Sequence, residues 1–166
     1  RFLSLWPLKY TAAQWTVVRM ALASTSPLAP RPSIRVTAGD YAQHIRALKE
    51  RLPSGFTVVY QAPFVVVSDE LPAVVKRRSR GTVAWAVRHL EKSYFTRPPN
   101  KILTTYLFKD ERSYRHHAQR FFGHKPKTPY GYYSSSADAL VMNISNGGGT
   151  LVHEIVHPYM EANFPD

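Results

Sequence analysis

An α+β fold is predicted for this chain, and three observations carry that expectation. Several segments space their apolar residues three and four apart, as helices with one buried face do. Six short runs rich in β-branched and aromatic residues read as strands. The segments joining those strands are mixed in length, so helices and strands interleave without regular alternation.

Taken in order, Ile34-Arg35-Val36 alternates like a short strand and leads to Ala38-Gly39-Asp40, where Asp40 is suited to cap a helix. Ile45, Leu48 and Leu52 then recur at helical spacing through residues 41–52, and Pro53-Ser54-Gly55 stops the pattern. Residues 56–60 and 64–67, separated by Gln61-Ala62-Pro63, predict a hairpin or two adjacent strands. A long helix is expected from Leu71-Pro72 to about Tyr94, with Val75, Val83, Trp85, Val87 and Leu90 inward and Gly81 a weak point. Pro98-Pro99-Asn100 ends it. Residues 102–108 form a strand, and Asp110-Glu111 begins a helix that reaches Phe122 and closes on Gly123. Two further strands, residues 130–133 and 140–144, flank Ser134-Ser135-Ser136-Ala137-Asp138. Asn146-Gly147-Gly148-Gly149 then leads to Thr150, expected as the cap of a last helix running through His157 toward Phe164.

Length and composition bound the function. A chain of 166 residues, 44% hydrophobic and 20% charged, is sized for one domain with a real core. Residues 1–32 read as an N-terminal segment ending in a Pro-rich linker, Ser26 to Pro32, and residues 33–166 as the domain. The start at Arg1, with Arg19 interrupting the first apolar run, fits a processed or excised terminus better than a retained signal peptide. No apolar stretch reaches 18 residues, so a membrane span is not expected. With no cysteine, disulfides, Cys-nucleophile chemistry and Cys-based metal sites are excluded. The compartment stays open, with an extracytoplasmic one slightly favoured.

Twenty-two Lys and Arg against eleven Asp and Glu give a formal charge of +11. Such a surplus suits a nucleic-acid or anionic-surface partner. The basic residues are scattered, however, and the one dense run, Lys76-Arg77-Arg78-Ser79-Arg80, falls on the solvated face of an expected helix. A basic surface bias is the simpler reading, and a nucleic-acid partner is disfavoured.

The chemistry concentrates in His153-Glu154-Ile155-Val156-His157. Residues four apart on a helix share a face, so His153 and His157 can offer two imidazoles to one cation. Glu154, offset around the helix, falls beside such a cation rather than on it. There it can take a proton from metal-activated water and return it to a leaving amine. Two histidines and a neighbouring glutamate at this spacing make His153 and His157 the candidate metal ligands, Zn2+ the candidate cofactor, and Glu154 the candidate general base.

The run from Asn143 to His157 resembles the core of zincin metallopeptidases, in particular the gluzincin-like, peptidase MA-like group. The resemblance is specific over residues 139–164. It implies a zincin-like lobe with a mixed, mostly antiparallel sheet packed by helices, a peptide or protein substrate, and an edge strand that pairs with the extended substrate. Leu140, Val141, Met142 and Asn143, just before the motif helix, are the candidate edge strand. Members of that group take a third ligand from a Glu on a later helix, which here would lie beyond Asp166 in the remainder of a longer parent chain. The metzincin pattern is not met, since Met160 and Asn163 stand where it places Gly and His. Glu161 shares the helix face but lies about 12 Å along it from His153, too far for one straight helix to wrap around an ion. Two alternatives stand beside the peptidase reading: a zincin-like binding domain without catalysis, and a basic module for nucleic acid or an anionic surface.

Other residues are candidates for the same site. His116, His117 and His124 could approach a metal from outside the motif, and Tyr130, Tyr132 or Tyr133 could bring a phenol to it. Surface histidines and strand tyrosines more often serve solubility and packing. Gly147-Gly148-Gly149 lacks the Lys-Ser/Thr of a phosphate-binding loop and reads as a hinge feeding the motif helix. Pro158 has no N–H for the Glu154 carbonyl and predicts a bend.

Overall fold

The computed structural model describes residues 36–164, so the N-terminal segment and Ile34-Arg35 of the expected strand Ile34-Arg35-Val36 lie outside the described residues, and Val36 is not in a strand. Helix α1 spans Ala38–Arg51. Its cap is Thr37, whose hydroxyl accepts from the Asp40 N–H at 3.2 Å while the Asp40 carboxylate accepts from the Thr37 N–H at 2.7 Å. The expectation of Asp40 as the cap is therefore corrected by three residues: it is the acidic half of a capping box.

Strands β1 (Thr57–Gln61) and β2 (Phe64–Ser68) form the expected antiparallel hairpin. The next helical stretch is continuous in chain order: α2 (Pro72–Arg78), a π-helical turn (Ser79–Val83) and α3 (Ala84–Ser93). Gly81 sits inside that widened turn, as its poor helix propensity allows. Then come β3 (Leu103–Phe108), α4 (Glu111–Phe122), β4 (Gly131–Ser134), β5 (Ala139–Asn143), a short 3-10 turn (Ile144–Asn146) and α5 (Gly148–Asn163). Asp110 caps α4, accepting from the Ser113 N–H at 2.8 Å. Gly123 closes it in the left-handed conformation at φ 76°.

The class is α+β with one five-stranded mixed sheet, ordered β1-β2-β3-β5-β4. Two neighbouring pairs are parallel (β2 with β3, β3 with β5) and two antiparallel (β1 with β2, β4 with β5). The sheet is thus evenly mixed rather than mostly antiparallel. Its centre is parallel because the chain crosses over helically between β2 and β3, and through α4 and β4 between β3 and β5.

Strand parity sets the two faces. Val65, Val67, Tyr106, Phe108, Ala139, Val141 and Tyr132 pack with Tyr41 and Leu48 of α1 and with Tyr114 and Ala118 of α4. The alternate residues face α5 and the α2–α3 stretch. Tyr133 stacks on His157 of α5, and Tyr159 of α5 donates to Glu91 of α3 at 2.7 Å.

Strand β5 lies inside the sheet, paired on both sides, and Leu140, Val141, Met142 and Asn143 are buried. The expectation that these residues form the edge strand is overturned. An unbroken apolar run marks a strand covered on both faces, whereas the half-exposed Tyr132, Tyr133 and Ser134 mark the true edge beside it, β4. Among the described residues no helix is long and apolar enough to cross a membrane.

Candidate metal centre

Helix α5 is anchored along its length before any of its chemistry is considered. At its start, the Asn143 Oδ1 accepts from the Ser145 hydroxyl at 2.7 Å, and the side-chain amides of Asn143 and Asn146 both donate to the Pro129 carbonyl, at 3.0 and 2.9 Å. Gly147 turns the chain at φ 97° and is itself the N-cap. Thr150, inside the first turn, is therefore not the cap. Gly148 comes so close to the π-helical turn that an added Cβ would stand 3.3 Å from the Thr82 methyl. The Gly-rich run is thus explained by one turn and one close packing contact. Leu151, Ile155 and Tyr159, four apart, are wholly buried and fix the rotation of the helix. At the far end the Asn163 amide donates to the Arg97 carbonyl at 2.8 Å. The helix runs as one continuous α-helix through buried Pro158.

That rotation presents His153, Glu154 and His157 together. One ligand atom from each lies within 4.8 Å of the others, and among the described residues no other His, Asp or Glu joins them. The two imidazoles sit 5.1 Å apart, nearly perpendicular at 80°. The Glu154 carboxylate is 3.8 Å from His157 Nε2 and only 11% exposed, while the His157 side chain is 49% exposed.

Burial sets the protonation states. Desolvation lowers the His153 pKa below its ordinary 6.5, and the neighbouring His157 lowers it further. Desolvation also lowers that of His157, against a pull upward from Glu161. Both imidazoles are then neutral at pH 7, with a lone pair each to offer a cation. Burial raises the Glu154 pKa above 4.5, and a hydrogen bond from the backbone of Tyr133 partly offsets it. The result is a carboxyl group more basic than an exposed glutamate, beside two neutral imidazoles. This donor set fits a divalent cation of borderline softness.

The remaining sequence candidates separate by sheet face. His117 stacks on Phe108 and Phe121 in the α4 layer, on the opposite face from α5. His124 lies against Tyr132 and near the Phe122 carbonyl. Neither reaches the motif, and nor does exposed His116 on α4. Of the three tyrosines, Tyr130 is exposed and Tyr132 faces the α4 core, with burial raising its pKa to about 12. Tyr133 alone comes to the site, where its ring lies 6.0 Å from His157 and parallel to within 9°. Strand parity could have singled it out, but only once its register with β5 was known. Glu161 does not join the ligands: it accepts from the Tyr133 hydroxyl at 2.9 Å and from Lys101 at 3.1 Å. Of the basic run, Arg78 is paired with Glu70 through two hydrogen bonds of 2.6 and 2.8 Å, and Lys76, Arg77 and Arg80 are exposed.

The stability of the metal-free protein should depend on pH. His44, His117, His153 and His157 all have folded pKa values lowered from 6.5, chiefly by burial. Below that value the unfolded chain binds protons that the folded chain resists, so their contribution is whole above pH 6.5 and is lost as pH falls. Glu154, with a raised pKa, works in the opposite sense above pH 4.5, but it is one group against four. The unfolding midpoint of chelator-treated protein should therefore fall between about pH 7.5 and about pH 5.5. A midpoint that holds or rises over that window contradicts the assignment of neutral, buried imidazoles.

No family model matches the chain, and no curated protein or solved structure matches it.

Proposed function

We propose that this protein is a zinc-dependent peptidase in which His153 and His157 hold Zn2+ and Glu154 is the general base. The observation that carries the reading is the convergence of two neutral imidazoles and one buried carboxylate, all within 4.8 Å, on a helix braced at both ends. The resemblance of residues 139–164 to zincins supports the same chemistry.

When bound, zinc would supply Lewis-acid polarisation of water and of the scissile carbonyl. The chain's own residues do the rest. Glu154, more basic than an exposed glutamate, accepts the proton released as water attacks and delivers it to the departing amine. Its burial keeps bulk water from competing for that proton. The hydrogen bond from the Tyr133 backbone fixes the carboxylate beside the imidazoles. Strand β4 is the sheet edge next to the motif helix, but its outward backbone groups are largely engaged, the Gly131 N–H and carbonyl by the Thr128 hydroxyl and the Tyr133 N–H by Glu154.

Metal analysis of the purified protein should find one zinc per chain. A chelator should remove hydrolysis of an unstructured protein such as casein, and added Zn2+ should restore it. Zinc bound without hydrolysis would favour a non-catalytic binding domain, and no zinc at all would remove the metal reading.

A further inference from the structure

A linked set of side chains outside the ligand trio joins the sheet edge to the motif helix. The Tyr133 ring lies flat on the His157 imidazole, 6.0 Å between centroids and 9° between planes. Its hydroxyl donates to Glu161 Oε2 at 2.9 Å, one helical turn beyond His157. Lys101 donates to the same oxygen at 3.1 Å and pairs with Asp138, on the β4–β5 connection, at 2.7 Å. Three separate parts of the chain are therefore tied at one point beside the outer imidazole.

That imidazole needs support. His153 and Glu154 are held within the fold, but the His157 side chain is about half exposed and has rotamer freedom that burial does not remove. Imidazoles that bind metals are normally oriented by a neighbour, and losing that neighbour weakens the metal. Around His157 the structure supplies an aromatic face, and the face is itself held at its hydroxyl end by a carboxylate. Glu161 is in turn drawn away from the trio by a phenol and an ammonium.

We propose that Tyr133 is a positioning residue for His157, held in place by Glu161 and Lys101, so that the sheet edge sets the orientation of the second metal ligand. The proposal rests on the reading of His153 and His157 as ligands. It assigns Glu161 a structural task in place of a ligand role.

The test uses zinc affinity by chelator competition and the visible spectrum of the Co2+-substituted protein, neither of which requires turnover. Tyr133→Leu removes the stacked ring and should weaken zinc binding by about 10- to 100-fold and alter the Co2+ bands. Tyr133→Phe keeps the ring but loses the hydroxyl anchor, so it should weaken zinc less than Tyr133→Leu and about as much as Glu161→Ala. Glu161→Ala and Lys101→Met should weaken zinc by up to about tenfold. Their partly exposed contacts contribute little to folding, so the metal-free unfolding midpoint should stay within about 2 °C of the parent. These two variants carry the test if Tyr133→Leu fails to fold. Affinity and spectrum unchanged in the folded variants overturn the proposal. A His157→Ala control separates the two readings. If it leaves zinc affinity intact, the ligand assignment itself is wrong. If it abolishes binding while the Tyr133, Glu161 and Lys101 variants bind as the parent does, only the positioning role is wrong.

Discussion

Replacing Glu154 with Gln is expected to reduce peptide hydrolysis by about two to four orders of magnitude while zinc stays bound. The amide has nearly the shape of the carboxylate, so packing against the buried face of α5 should survive. The proton acceptor is lost. Glu154 is buried, its pKa is raised by that burial, and its carboxylate stands 3.8 Å from His157. Among the described residues no second carboxylate is close enough to substitute for it, since Glu161 is engaged by Tyr133 and Lys101. The measurement is kcat on a casein-type substrate together with zinc content of the same sample. A Gln variant that cleaves as fast as the parent would show that Glu154 is not the base. Loss of zinc together with activity would instead make Glu154 part of what holds the metal.

The second large effect is on folding and reaches the site through the sheet. Gly131 opens β4 opposite Met142 of β5. A Cβ at that position would stand 2.5 Å from the Met142 sulfur and methyl and 2.8 Å from the Val141 carbonyl. The Met142 side chain is completely buried and cannot swing out, and the carbonyl is committed to its strand. Gly131→Ala must therefore push β4 away from β5, at a cost of about 1–3 kcal/mol. For a protein of this size each kcal/mol lowers the midpoint by about 2–4 °C. Because Tyr133 is two residues along the same strand, the displacement should also weaken zinc binding. An Ala variant with an unchanged melting temperature would mean the strand pair has room that the packing does not suggest.

Glu154 and Gly131 differ in how far local sequence reveals their roles. The motif needs only local spacing: His153 and His157 four apart on a helix face the same way in any helical fold, and Leu151, Ile155 and Tyr159 bury another stripe. The strand segments are legible for the same reason, because β-branched and aromatic runs between turn residues are a local property. Helix ends are legible to within a few residues. Gly123 closes α4 as expected, while the cap of α1 moves to Thr37 and that of α5 to Gly147.

Strand order is not legible in this way. The apolar run 140–143 marks a buried strand, but nothing in it says that β4 lies outside β5 and becomes the edge. That order is decided by hydrogen bonds between segments far apart in sequence. Face assignment has the same origin. Tyr132 and Tyr133 are neighbours with the same chemistry, yet one faces the α4 core and the other His157, because pairing with Val141 and Leu140 fixes opposite directions. Residue order alone is enough to specify the motif helix, its two imidazoles and the carboxylate beside them. Three-dimensional pairing decides which strand borders them, that His117 and His124 lie elsewhere, and that Glu161 is held by Lys101 and Tyr133. Local periodicity specifies which side of an element is apolar, whereas its neighbours depend on pairing energies summed over the whole sheet.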